Sequence, residues 1–299
     1  MPRVVVTAPL DGLEALAAYD VLGPSAWRDA LPEADALLCL LTDRIDAALL
    51  DEAPRLRVVG TVSVGYDHVD LAACAARGIA VVHTPGVLTE ATADLAFGLL
   101  LAAARLFRQG GEAVTSGAWQ GWRMDDFVGR DVHGATLGLV GYGRIARAVE
   151  RRALGFGMTV LHASRSSGVP LDALLEEASY VSLHVPLTPE TRHLIGAREL
   201  ALLGPDGVLV NTSRGPVVDE AALAAALESR GVFAAGLDVY EDEPAVHPGL
   251  RASPYAVLLP HVGSATRETR LAMARLAAEG VAAVLAGETP PNVVPTASR

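Results

Sequence analysis

Short runs of β-branched and apolar residues alternate along the chain with longer stretches whose apolar positions recur every three or four residues. In the first part the runs at 3–7, 36–41, 58–61 and 79–83 predict strands, and the stretches at 45–52 and 70–77 predict helices between them. Such alternation predicts a parallel sheet covered on both faces. Residues 90–108 read as one long helix, apolar over most of its surface and therefore expected to be buried between domains. The Gly- and Trp-containing stretch 110–134 shows no clear period; a loop of that length usually has a function or serves as an interface arm. A second series follows, with strands predicted at 136–140, 158–163, 180–184, 208–211, 234–239 and 256–259, and a last helix at 266–285. No repeat of fixed period and no low-complexity linker interrupts the pattern.

Composition narrows the class. A length of 299 residues suits two domains, and 51% hydrophobic with 20% charged residues allows sizeable cores. A formal charge of −11 argues against nucleic acid as a partner, although one focused arginine can hold a carboxylate inside an acidic protein. All 24 basic residues are arginine, which removes mechanisms that need an ε-amine, such as Schiff-base chemistry. Cys39 and Cys74 lie in apolar surroundings without metal-ligand spacing and read as buried free thiols in a reducing compartment; no metal site is expected. The opening Met1-Pro-Arg-Val-Val-Val reads as a first strand without the layout of a signal peptide. The longest apolar run, 95–104, is too short to span a bilayer. A soluble, cytoplasmic protein with no membrane partner is expected.

The strand at 136–140 runs into Gly141-Tyr142-Gly143-Arg144-Ile145-Ala146, which opens a helix continuing to about Leu154. In this dinucleotide-binding pattern the first glycine makes the tight turn and the second lets a pyrophosphate approach the backbone at the helix N-terminus. The small third residue allows close helix–strand packing. The next strand ends in His162-Ala-Ser164-Arg165-Ser166, with no Asp or Glu to bind ribose hydroxyls. An arginine and two hydroxyls would bind a 2′-phosphate that a carboxylate would repel, so NADP(H) is favoured, with NAD(H) still possible.

Three further segments end predicted strands: Asn211-Thr-Ser-Arg214-Gly-Pro-Val-Val-Asp219, Asp238-Val-Tyr-Glu-Asp-Glu243-Pro244 and Pro260-His261-Val-Gly263-Ser-Ala-Thr266. In a doubly wound sheet the carboxyl ends of the strands converge on one crevice. An arginine can hold a carboxylate bidentately and polarise the adjacent carbonyl. A histidine can donate a proton as hydride arrives, and a carboxylate beside it favours its charged form. Singly, each residue has a duller reading as a turn, cap or core residue; together Arg214, Glu243 and His261 suit the reduction of a keto acid.

At these residues the chain resembles the D-isomer-specific 2-hydroxyacid dehydrogenase family, and within it the glyoxylate/hydroxypyruvate reductases. The likeness also takes in Leu37-Leu-Cys-Leu-Leu41-Thr-Asp43, Ser63-Val64-Gly65-Tyr-Asp67-His-Val-Asp70, Thr84-Pro-Gly-Val-Leu-Thr-Glu-Ala-Thr92-Ala-Asp94 and Ser182-Leu-His-Val-Pro186-Leu-Thr188-Pro-Glu-Thr191. The resemblance implies two doubly wound α/β domains, a Rossmann cofactor domain at 88–266 inserted in a flavodoxin-like substrate domain at 1–87 and 267–299. It implies that Arg214 binds the substrate, that Glu243 pairs with His261, and that His261 is the acid/base. Amides at Val64 and Gly65 would hold the substrate carboxylate, with Leu41 and Trp122 bordering a small 2-keto or 2-hydroxy acid. Asp238 would contact the nicotinamide end; Thr92, Pro186, Thr191, Thr212 and Gly263 would line the cofactor with Tyr142, Arg144 and Ile145 of the glycine turn. Trp122 matches a tryptophan that reaches into a partner subunit's active site, which implies a homodimer; an ordinary apolar interface anchor reads equally well. Two departures stand out: Ala146 replaces the usual third glycine, and His83 stands where asparagine is common. A 3-phosphoglycerate dehydrogenase would need further cationic groups for its phosphate. A cofactor-sensing binding protein on the same fold is disfavoured by the intact catalytic set.

Overall fold

The computed structural model describes residues 1–295. In chain order the first part forms β1 (Arg3–Val6), β2 (Asp20–Leu22), α1 (Trp27–Ala30), β3 (Ala36–Cys39), α2 (Ala47–Asp51), β4 (Val58–Thr61), α3 (Leu71–Ala76) and β5 (Ala80–Val82). Next come α4 (Thr89–Ala104), α5 (Phe107–Thr115), β6 (Thr136–Val140), α6 (Arg144–Gly155), β7 (Thr159–Ala163), α7 (Leu171–Glu177), β8 (Tyr180–Leu183) and α8 (Ala197–Leu203). The chain continues through β9 (Val208–Asn211), α9 (Glu220–Glu228), β10 (Ala234–Leu237), α10 (Pro248–Ala252) and β11 (Ala256–Leu258), and closes with α11 (Arg267–Leu285). These elements divide into two compact units, Met1–Leu88 with the stretch from Ser264 onward, and Thr89–Gly263. Residues 296–299 of the expected 267–299 segment lie outside the described residues.

The first unit is a five-stranded parallel sheet in the order β2-β1-β3-β4-β5. Its inner strands are buried on both faces, which is why Val4-Val5-Val6 and Ala36-Leu37-Leu38-Cys39 read as unbroken apolar runs rather than alternating ones. On one face Val5, Leu37 and Val59 pack with Leu49, Leu50 and Cys74. α11 lies along β3, β4 and β5, burying Met273, Ala277 and Val281. Asp46, Asp70 and Thr266 cap their helices by accepting from the backbone N–H three residues on.

The second unit is a six-stranded parallel sheet in the order β11-β10-β9-β8-β6-β7. The chain winds from β6 outward to β7, then crosses back to β8 on the other side of β6. The carboxyl ends of β6 and β8 therefore flank the topological switch point, where doubly wound sheets bind ligands. Both units are α/β and doubly wound.

Three local expectations change. The helix expected at 90–108 ends at Ala104, where Leu106 takes a left-handed conformation (φ 51°), and α5 resumes at Phe107. α5 thus occupies the start of the stretch expected to be a loop; Gly110 and Gly111, each costing about 1 kcal/mol in a helix relative to alanine, hide it from a propensity reading. α4 buries Ala93, Ala96, Phe97, Leu99 and Leu100 in the second unit's own core, against Leu137, Leu139 and Val149. The strand β2 had no sequence signal: it has three residues and a partly exposed edge position at Val21.

Candidate active site

β6 delivers Gly141 at φ +87°, and a Cβ there would sit 2.5 Å from the His184 carbonyl oxygen beyond β8. Only glycine can therefore fit the turn from β6 into α6, where the chain passes close to the end of β8. Gly143 is the N-cap of α6, supplies no side-chain cap, and faces open space. The first-turn N–H groups of α6 thus point into a clearing that suits an anion. The buried Thr212 hydroxyl has no hydrogen-bond partner, leaving a polar atom for a ligand to satisfy. These features fit a dinucleotide.

Around this turn the Tyr142 ring stacks on His162 at 3.9 Å between centroids, and its hydroxyl donates to Glu150 at 2.6 Å. Arg144 is exposed and Ile145 half-buried in the first turn of α6. At the end of β7, Ser164 closes a small turn with Ser167, donating to its carbonyl at 2.9 Å. Arg165 and Ser166 stand exposed at the tip. The Arg165 charge reaches Glu190, the nearby carboxylate whose pKa is lowered chiefly by a Thr188 hydrogen bond. Thr191 donates to the Pro186 carbonyl at 2.7 Å and so shapes its own loop. The Thr92 hydroxyl on α4 donates to the Gly263 carbonyl at 3.2 Å.

His261, Glu243 and Arg214 come together in the second unit. His261 adopts a left-handed conformation (φ 53°), with Nδ1 2.8 Å from Glu243 Oε2. Glu243 also accepts the Tyr240 N–H at 3.1 Å. Burial pushes the Glu243 carboxyl up, but the His261 hydrogen bond and charge, the Tyr240 N–H and the Arg214 charge together carry it below the usual carboxylate value. Asp238 is buried beneath the histidine's loop, its two oxygens accepting the Val262 and Gly263 N–H groups at 2.8 Å each. Burial pushes its carboxyl up, and these two bonds only partly offset that.

Two residues without a sequence signal fix this arrangement. Glu220 at the start of α9 is buried, and its carboxylate accepts from Glu241 N at 2.6 Å and from His247 N at 3.0 Å, on either side of Glu243. Glu241 returns the bond, accepting Glu220 N at 2.9 Å, and holds His193 Nε2 at 2.8 Å. Beside Arg214, Gly215 packs so tightly on the Tyr240 backbone that a Cβ would fall 1.8 Å from its carbonyl. In the sequence Asp219-Glu220 looks like the ordinary acidic start of a helix, and Asp219 does cap α9 by accepting Ala222 N.

In the first unit, Val64 and Gly65 follow β4 and Leu41 follows β3, on a loop held by Asp43, which accepts Leu40 N at 2.8 Å. Trp122 is 77% exposed.

A family model described as "D-isomer specific 2-hydroxyacid dehydrogenase, NAD binding domain" matches residues 97–263. The chain is 47% identical over 321 aligned positions to a glyoxylate reductase of Thermococcus litoralis, covering 98% of this chain and 96% of the relative. The chain belongs to the D-isomer specific 2-hydroxyacid dehydrogenase family. A crystal structure of a protein from Thermus thermophilus superposes with a TM-score of 0.92 at 45% identity, covering 98% of this chain and 99% of that one. An NADPH-dependent glyoxylate/hydroxypyruvate reductase from Sinorhizobium meliloti, solved with NADP and malonate, superposes at 0.87 and 33% identity, covering 99% and 97%. As a member of this dehydrogenase family the chain is an NAD(P)-dependent oxidoreductase with a Rossmann cofactor fold. Among the described residues no helix is long and apolar enough to cross a membrane.

Proposed function

We propose that the enzyme reduces small 2-keto acids, glyoxylate and hydroxypyruvate, to D-2-hydroxy acids with NADPH. The observation that carries this reading is the 2.8 Å His261–Glu243 pair, with the Arg214 charge acting on the same carboxylate, in the unit that bears the glycine turn. The bound dihydronicotinamide supplies hydride. Arg214 binds the substrate carboxylate and polarises the carbonyl, the Val64 and Gly65 amides hold the same carboxylate, and His261 protonates the carbonyl oxygen through its second ring nitrogen. Glu243 accepts from Nδ1 and so leaves the second ring nitrogen for the substrate. Asp238 holds the loop at Val262 and Gly263, so His261 is delivered in one orientation. Thr92, Thr212, Pro186 and Thr191 are assigned to the cofactor, with Arg165 and its flanking serines at the 2′-phosphate. The absence of a carboxylate at the end of β7 supports NADPH over NADH.

The stretch 107–128 supports a homodimer. It presents Phe107, Val114, Trp119, Trp122 and Met124, each more than half exposed, and α5 buries none of its residues. Exposed apolar side chains gathered along one stretch of chain suit an association face.

Initial rates with glyoxylate and hydroxypyruvate, each against NADPH and NADH, test the proposal. Rapid NADPH oxidation with either acid is expected. Turnover with NADH alone would refute the phosphate-site assignment, and no turnover with any pair would refute the substrate class.

A further inference from the structure

Among the described residues the amides of Val64 and Gly65 have no hydrogen-bond partner, whereas the carbonyls of the same two residues are both taken by side chains. The Ser63 hydroxyl donates to the Gly65 carbonyl at 2.6 Å, and is itself linked to Thr61 at 2.7 Å and through it to His68 at 2.9 Å. The Val64 carbonyl lies 2.8 Å from His83 Nδ1. A carbonyl oxygen only accepts, so Nδ1 carries the proton and the tautomer is fixed.

The Val64 carbonyl and the Gly65 N–H belong to one planar trans peptide and point in opposite directions. A donor holding the oxygen therefore fixes the direction of the N–H. It also draws electron density toward the oxygen, which makes the N–H a stronger donor. His83 is in turn held on three sides. Its N–H donates to the Asn292 carbonyl at 3.1 Å, its carbonyl accepts Asn292 Nδ2 at 2.9 Å, and its ring meets Tyr66 edge-on at 5.5 Å. It follows β5 directly, and the adjacent Thr84 N–H donates to the Ser63 carbonyl at 2.8 Å.

We infer that His83 is a positioning residue for the substrate carboxylate: through Nδ1 it aims and strengthens the Gly65 amide as an anion donor. The inference rests on the proposed role of the Val64 and Gly65 amides. It accounts for a histidine where the family resemblance leads one to expect asparagine, since Asn Nδ2 and His Nδ1 stand the same number of bonds from Cα and both can donate to the Val64 oxygen.

The test compares His83→Leu with His83→Asn, side chains of nearly the same shape that differ in the donor, alongside Gly65→Pro, which removes the amide hydrogen itself. KM for the 2-keto acid is expected to rise about tenfold in His83→Leu, with KM for NADPH held within about twofold, and His83→Asn is expected to restore most of the lost affinity. Gly65→Pro is expected to raise the same KM at least as much. A Gly65→Pro enzyme with unchanged KM overturns the amide assignment and the inference with it. An effect of Gly65→Pro without one from His83→Leu overturns the inference alone, as does an asparagine variant no better than leucine. A role confined to folding would lower the melting temperature without separating the two KM values.

Discussion

Replacing Glu243 by glutamine removes one charge from the His261 pair while keeping an oxygen that can accept from Nδ1. At the observed 2.8 Å separation, a carboxylate and an imidazolium attract by roughly 1.5 kcal/mol in a dielectric like water, and by about twice that if the effective dielectric is halved. Their side chains are 31% and 26% exposed, so solvent screens the pair and this range applies rather than that of a dry interior. Since about 1.4 kcal/mol is a factor of ten in rate, the loss is worth about a ten- to hundredfold fall. The sign follows from the proposed chemistry. Reduction draws on the ring and the carboxylate held together through Nδ1, so removing the charge weakens that arrangement and slows the reaction. The kcat/KM for glyoxylate should therefore fall by about ten- to a hundredfold in Glu243→Gln, measured at about pH 7 with NADPH saturating. A kcat/KM within about twofold of the native value would show that Glu243 does not support His261 in the reaction.

Arg165→Ala should raise KM for NADPH by about tenfold, the worth of one exposed charge-assisted contact, while KM for NADH changes by less than about threefold; equal effects on both cofactors would remove Arg165 from the 2′-phosphate. Gly141→Ala should cost about 2 kcal/mol or more, because its positive φ and the close His184 carbonyl penalise a Cβ together. Denaturant unfolding and fluorescence titration of NADPH would both register the change, and an unaltered stability would contradict the close packing of β6 on β8. Burial pushes the Cys74 thiol up to about 11 and the Cys39 thiol higher still. A disulfide-exchange reagent at neutral pH should thus find neither thiol in the native enzyme and both after denaturation; rapid labelling of the native protein would disprove the buried placement.

The parallel sheets were legible because buried strands such as 58–61, 136–140 and 208–211 are largely apolar runs with polar residues only at their ends, and those runs coincide with β4, β6 and β9. The glycine turn was legible because a single backbone conformation dictates residue type at Gly141. Arg214, Glu243 and His261 could be picked out as charged residues just past strand ends, and the fold joins them. What stayed hidden depends on partners distant in the chain. Glu220 is indistinguishable from a surface residue of a helix start until Glu241 and His247 are seen to donate to it. His83 has no local signature, since its partner is a backbone carbonyl 19 residues away. The break at Leu106 escaped periodicity altogether, because one left-handed residue leaves the apolar pattern on either side intact.

Gly215 against Tyr240 and the exchanged carboxylates of Glu220 and Glu241 tie the arginine-bearing segment to the glutamate-bearing one. For protein engineering, residues 211–220 and 238–247 are a single cassette. A substrate-specificity graft from a relative should carry both segments across together, since a chimera that joins one native half to one foreign half would break the backbone fit before any pocket residue could act.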